Sequence, residues 1–128
     1  MNIAEIRDDL ESGIILGGIS RVYKYVPERP TTPCAIIEPD TEFITVYEDQ
    51  YNEPDYKSNW KVQVITPFAS NQKETENLDT TLETLIPAIW EQAKVTKLTV
   101  DKPFMLDINN AIYLATNINI SIDITGGN

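Results

Sequence analysis

The sequence predicts an α+β domain, with an N-terminal helix and a central helix packed on a mostly antiparallel sheet that carries a long β-hairpin. Three observations predict it. Leu78, Leu82, Leu85, Ile86, Ile89 and Trp90 recur at helical spacing within Asn71–Ala93. Ile118, Ile120, Ile122 and Ile124 alternate strictly with Asn117, Asn119, Ser121 and Asp123, the pattern of a strand with one buried and one wet face. The elements run helix, strands, helix, then a final hairpin, an order that sets helices against one face of an antiparallel sheet. At 128 residues, without repeats or a dividing linker, the chain reads as one domain spanning 1–128.

The first helix is expected over Asn2–Leu16. Asn2 and Glu5 can form a capping box, and Ile3, Ile6, Leu10 and Ile14 make its apolar stripe. Gly17 and Gly18 stop it. Arg21–Val26 alternates as a strand. Pro27, Pro30 and Pro33 make the following segment a stiff extended loop. Cys34–Ile37 is a short buried strand, stopped by Glu38-Pro39-Asp40, and Phe43–Tyr47 is another.

Glu48–Ser58 is the most polar long loop, and Trp60–Thr66 then alternates again. Strand, polar tip, strand is a hairpin whose loop is longer than a turn requires. In the central helix Asn71 and Glu74 can cap each other. Pro87 cannot donate to the carbonyl of Glu83, so a kink or break is expected near Ile86; continued apolar spacing beyond it favours a kink. Val95–Val100 and Phe104–Ile108 are strands, Asn109-Asn110 is a turn, and Ile112–Thr125 is the clearest strand.

Twenty Asp and Glu oppose ten Lys and Arg, a net charge of −10. Such a surface repels nucleic acid and anionic membranes. A hydrophobic fraction of 41% and a mean hydropathy of −0.26 are ordinary for a soluble domain. No apolar run approaches the ~20 residues that span a bilayer, and the N-terminus has no signal-peptide pattern. The single Cys34, among Ala35, Ile36 and Ile37, reads as a small core residue of a reducing compartment.

The absence of histidine removes the commonest general base and metal ligand. No phosphate-cradling glycine pattern occurs. Asp49–Trp60 superficially suggests a calcium loop, but its sixth position is Pro54 and its twelfth is Trp60, where glycine and a bidentate Glu are required. With twenty acids, a carboxylate pair for glycoside hydrolysis carries no signal. The sequence therefore points to no catalytic residue, cofactor or metal. Tyr23, Tyr25 and Tyr47 read as strand packing. Tyr51 and Tyr56, in the polar loop, suit a protein interface, since Tyr is large, rigid and amphipathic.

Several stretches together resemble a known family. They are Arg21-Val22-Tyr23-Lys24-Tyr25-Val26-Pro27, Pro33-Cys34-Ala35-Ile36-Ile37-Glu38-Pro39, Trp60-Lys61-Val62-Gln63-Val64 before Glu76-Asn77-Leu78-Asp79, and Tyr113-Leu114-Ala115-Thr116-Asn117-Ile118-Asn119-Ile120. In this order they resemble the tail terminator (tail completion) proteins of long-tailed bacteriophages. The resemblance implies a non-enzymatic virion protein at the head–tail joint, assembled in the bacterial cytoplasm. It implies a homo-hexameric ring that caps the tail tube protein, ends tube polymerisation and offers a surface to a head-side connector protein. DNA would pass through without specific binding, and no membrane is involved. A head-closure or other head–tail connector is the alternative, and a small acidic enzyme a remote one. The residues expected at the interface or lumen are Asp49, Tyr51, Glu53, Asp55 and Tyr56 in the polar loop, with Asn117, Asn119 and Asp123 on the wet face of the last strand.

Overall fold

A computed structural model describes residues 3–48, 50–67 and 71–124, with side chains omitted at 71–74. Its elements are α1 (Ile3–Leu16), β1 (Val22–Tyr23), β2 (Cys34–Glu48), β3 (Pro54–Pro67), α2 (Asn71–Gln92), β4 (Lys97–Val100), β5 (Phe104–Ile108) and β6 (Ala111–Ile124). The sheet runs β1-β2-β3-β6-β4, and β5 also pairs with β6, end to end with β4 along the same edge. Every strand pair is antiparallel except β1 with β2. The α+β class is as the sequence predicts.

α1 ends where its glycines dictate. Gly18 has φ +111°, its N–H donates to the Ile15 carbonyl (3.1 Å), and the Ile19 N–H donates to Ile14 (3.2 Å). This is a Schellman closure, and its two hydrophobic partners, Ile14 and Ile19, are both buried. Gly13 and Gly17, one turn apart, face α2. A Cβ on Gly17 would lie 2.8 Å from Leu85 Cα, and one on Gly13 would lie 3.1 Å from Ile89 Cα. The helices approach this closely only because both positions lack a side chain. The Thr84 hydroxyl, donating to the Gly17 carbonyl (2.9 Å), ties the same corner.

α2 runs unbroken from Asn71 to Gln92 with Pro87 inside it, so no break occurs there. Leu78, Leu85 and Ile89 are buried, whereas Trp90, expected on the stripe, is 49% exposed at its margin. The proposed caps involve Asn2 and the Asn71 and Glu74 side chains, which lie outside the described residues.

The sheet departs from expectation in three places. Only Val22–Tyr23 of the Arg21–Val26 stretch pairs, in parallel with Ala35 and Ile36. Tyr25 therefore does not pack in a strand and is 70% exposed. The two expected strands Cys34–Ile37 and Phe43–Tyr47 are one fifteen-residue strand. Pro39 does not stop it; a bulge does the bending. Pro39 pairs with Trp60 and Ile44 with Ser58, leaving Asp40, Thr41, Glu42 and Phe43 opposite Asn59 alone. The Asn59 amide donates to the Glu42 carbonyl (2.8 Å) and to Thr45 Oγ1 (3.1 Å), and Ser121 donates to its oxygen (2.9 Å). Asn59 thus satisfies the Glu42 carbonyl that the bulge releases, and the Asp40 carboxylate accepts the Thr41 N–H (2.8 Å).

Thirdly, Glu48–Ser58 is not a long loop. β2 runs to Glu48 and β3 begins at Pro54, so most of the stretch is ladder. The polar residues are paired on both sides, with Tyr56 between Val46 and Ile124 and Lys57 between Thr45 and Asp123. The closing turn, Asn109-Asn110, falls where expected, with φ of 50° and 69°, the conformation that Asn tolerates and a tight hairpin needs.

One sheet face carries the main core. Ala35, Ile37, Trp60, Val62, Val64, Ile118, Ile120 and Ile122 meet Ile6, Leu10, Ile14, Leu78, Leu85 and Ile89 from the helices. Each such burial contributes roughly 1.5–3 kcal/mol before entropy is counted. The other face holds a smaller cluster at one end: Cys34, Ile36, Ile65 and Ala115, flanked by Tyr23, Phe104, Leu106, Ile108 and Tyr113. The proline segment is tied there: the Asn109 amide donates to the Glu28 carbonyl (2.7 Å) and the Thr31 N–H to the Tyr23 hydroxyl (3.2 Å).

Candidate assembly interface

The helices do not reach the far end of the hairpin. The boundary is Trp60, which is fully buried. Its indole N–H donates to Ser58 Oγ (2.9 Å), and the Ser58 hydroxyl donates to the Ile122 carbonyl (2.9 Å). Phe43 meets the ring edge-on at 4.9 Å, and the Arg7 guanidinium of α1 lies 5.1 Å from the ring centroid. A polar relay, an aromatic partner and a cation thus hold one large side chain where the helix layer ends.

Beyond Trp60, β2, β3 and the end of β6 form a three-stranded arm. On the side continuous with the helix-covered face lie Ile44, Val46, Tyr56 and Ile124, paired in rows. Ile44 is 38% and Val46 57% exposed. On the opposite side Tyr47, Asp55, Lys57 and Asp123 line up, with Lys57 Nζ 5.7 Å from the Tyr47 ring centroid. Tyr51 and Glu53 are exposed at the tip, where Asn52 turns the chain with φ 62°.

The predicted residues separate accordingly. Asp49 lies outside the described residues. Tyr51 and Glu53 are at the tip. Asp55 is half-buried on the polar side, its carboxylate accepting the Tyr56 N–H (3.0 Å). Tyr56 points to the other, apolar side of the sheet from Asp55. Asp123, Asn119 and Asn117 share the polar side with Asp55. The two asparagines are engaged by their own sheet: Asn117 accepts from Gln63 (3.2 Å) and Asn119 donates to Asp101 (2.9 Å). Lys61 pairs with Glu38 nearby at 3.5 Å. One oxygen of Asp123 is buried and has no hydrogen-bond partner. An open groove of about 440 Å³ on this face is lined mainly by polar residues, among them Asp40, Glu42, Asn59, Lys97, Asn119 and Ser121, with Ile120.

Sequence reasoning missed Ile44 and Val46, and it missed Tyr25 and Val26, which are 70% and 65% exposed in the segment after β1. Alternation at 44–47 marks a strand but does not say whether a helix covers it. Only the end of α1 at Trp60 decides that.

Among the described residues, no group of three or more His, Cys, Asp and Glu is placed to hold a metal ion. Nor is any helix long and apolar enough to cross a membrane. Burial pushes the Cys34 thiol up to about 11, partly offset by the Arg21 charge, so it stays protonated near neutrality and is a poor nucleophile. Lys24 is raised above its usual value by its hydrogen bond to Asp8 (3.1 Å) and by the charges of Glu11 and Asp8.

No protein-family model matches the chain. A stretch of 76 residues is 33% identical to (-)-limonene synthase, chloroplastic, from Picea sitchensis; it covers 57% of this chain but only 12% of that protein. The structure is similar, with a TM-score of 0.47 and 13% identity, to a chain in the virion of a native gene transfer agent particle, over 92% of this chain and 91% of that one. A likeness at that level carries no functional weight.

Proposed function

We propose that this chain is a structural component of a phage or phage-like particle, a tail terminator that closes into a ring on the end of the tail tube. The observation that carries the reading is the arm. Its apolar side carries Ile44 and Val46 beyond the helix layer, 38% and 57% exposed among the described residues. An apolar sheet face held out on a built arm suits burial in an assembly. The resemblance of the sequence to tail terminators supplies the kind of assembly, a homo-hexamer that ends tube growth and then receives a head-side connector. The excess of carboxylates suits the wall of a channel through which DNA slides, since unpaired acids repel phosphate.

The test is tube growth. Tube protein encoded with this chain is polymerised with and without it, and the length distribution is read by electron microscopy. The expected result is one ring at a tube end and arrested elongation. Unchanged elongation, with no particle at either end, would sink the reading. Binding to a portal-side adaptor in place of the tube would reassign the chain to the head side of the joint.

A further inference from the structure

The arm has a counterpart on the same molecule. Between Arg21 and Arg29 the chain leaves β1 and carries Tyr25 and Val26 with about two thirds of each exposed. The segment itself holds three cations, Arg21, Lys24 and Arg29, and one acid, Glu28, and Arg21 and Arg29 give it its basic edge. Lys24 is partly committed to α1 through Asp8 (3.1 Å) and Glu11 (3.6 Å). The Arg21 guanidinium reaches only the Thr31 carbonyl at 3.4 Å, and Arg29 edges a shallow hollow with Ile108 and Tyr113. The arm end has the opposite composition: Ile44 and Val46 share their side with Glu48, and Glu53 is exposed at the tip, whereas Asp55 and Lys57 lie on the other side. One patch is apolar with a basic rim and the other apolar with an acidic rim. They do not cover each other within one copy, since Tyr25, Val26 and Val46 all remain more than half exposed.

Two unlike patches, each matching the other and mismatching itself, define a heterologous joint that repeats head to tail and closes into a ring at the right rotation. We infer that the arm of one copy docks on the Arg21–Arg29 segment of a second copy, with Ile44 and Val46 against Tyr25 and Val26, and Glu48, with Glu53 at the tip, facing Arg21 and Arg29. This joint rests on the ring reading above and names its partner surface. Like-charge contact disfavours the self-pairings, tip against tip or segment against segment.

Charge exchange tests it. One variant carries Glu48→Lys and Glu53→Lys, another Arg21→Glu and Arg29→Glu, and circular dichroism checks that both fold. Sedimentation velocity over a concentration series should show each variant alone associating roughly tenfold or more weakly than wild type. The equimolar mixture, in which every joint is again between opposite charges, should recover association. A mixture that stays dissociated, or variants that assemble as wild type does, overturns the joint.

A second readout does not depend on charge. Val46→Cys and Val26→Cys chains, mixed under mild oxidation, should cross-link to each other and not to themselves; buried Cys34 does not compete. Cross-linking of Val46→Cys with itself, or none at all, overturns the proposal. The failures are separable. If wild type caps tubes and the charge variants cap them equally well, the joint is wrong and the terminator reading stands. If wild type does not cap, the reading itself falls.

Discussion

The two halves of the sheet are made from the same strands but held in different ways. Below Trp60, β2, β3 and β6 lie under two helices, and their inward side chains are fully buried. Above it the same three strands continue as an arm on which Ile122 and Ile124 of β6 still meet the core while Ile44 and Val46 of β2 are open. The lower half is stabilised by burial of apolar area. The arm has its ladder bonds, a few cross-strand pairs, and anchorage at Trp60. The difference teaches that a strand's alternation records only that one side is apolar. Whether that side serves the fold or a partner depends on where the helices end.

The largest test of this division is at its boundary. Trp60→Ala removes the side chain on which Phe43, Arg7 and Ser58 converge, and should cost about 3–5 kcal/mol in urea unfolding. If the arm hangs from that anchor, amide exchange at Ile44–Val46 should rise more than at Ile36–Ile37. Equal change in both regions would mean that the arm is not separately supported.

Gly17→Ala strikes the covered half alone. Its Cβ would meet Leu85 Cα at 2.8 Å, so the helices must part, at about 1–3 kcal/mol. Amide protection in the arm should be untouched beyond the global loss. A neutral result would show that the helices have slack.

On the opposite face of that half, Cys34 makes stability depend on alkaline pH. Its thiol is raised from 9.0 to about 11, so the folded chain keeps the proton that the unfolded chain sheds. The contribution is present below pH 9 and is lost as pH rises through about 11, for a total of the order of 2 kcal/mol. Cys34→Ala should flatten this part of the profile. A profile identical to wild type would place the alkaline dependence on other groups, Lys24 among them. That lysine's raised pKa has the same sign: its stabilisation is lost as pH climbs past the folded value.

The smallest effect is expected from Val46→Thr, with stability changed by no more than about 0.5 kcal/mol, because the side chain is mostly in solvent. Self-association is the quantity that should fall. Should stability drop by several times that amount, Val46 would belong to the core after all.

Much of the covered half was legible in the sequence because its signals are local. The glycine pair after Leu16, the Asn109-Asn110 turn and the strict alternation of β6 each act within a few residues, and each falls where expected. The arm was misread for the converse reason. Glu48–Ser58 is polar, and polar composition reads as loop; what makes Pro54–Ser58 a strand is pairing with Ile44–Glu48, joined at Tyr56–Ser58 by Ile122–Ile124 far along the chain. The same distance hid the bulge, since Pro39 looked like a stop until Asn59 supplied the missing partners. Of the candidate residues, Tyr51, Glu53 and Asp55 fall on the arm as a group, while Tyr56 turns to its other side and Asn117 and Asn119 are engaged within their own face.

β6 pairs with β3, β4 and β5, yet every other strand precedes it. During synthesis the β2–β3 hairpin can zip as soon as it emerges, but its inner edge has no neighbour until Ala111–Ile124 has been made. Until then β3 presents a long edge to solvent, and the apolar stripe of α2 has only part of its sheet to rest on. Folding is therefore held back by the closure of a long chain segment, the step that slows topologies rich in distant contacts. Nascent chains stalled before Ala111 should be the aggregation-prone species, and chaperone dependence should end once β6 is inserted.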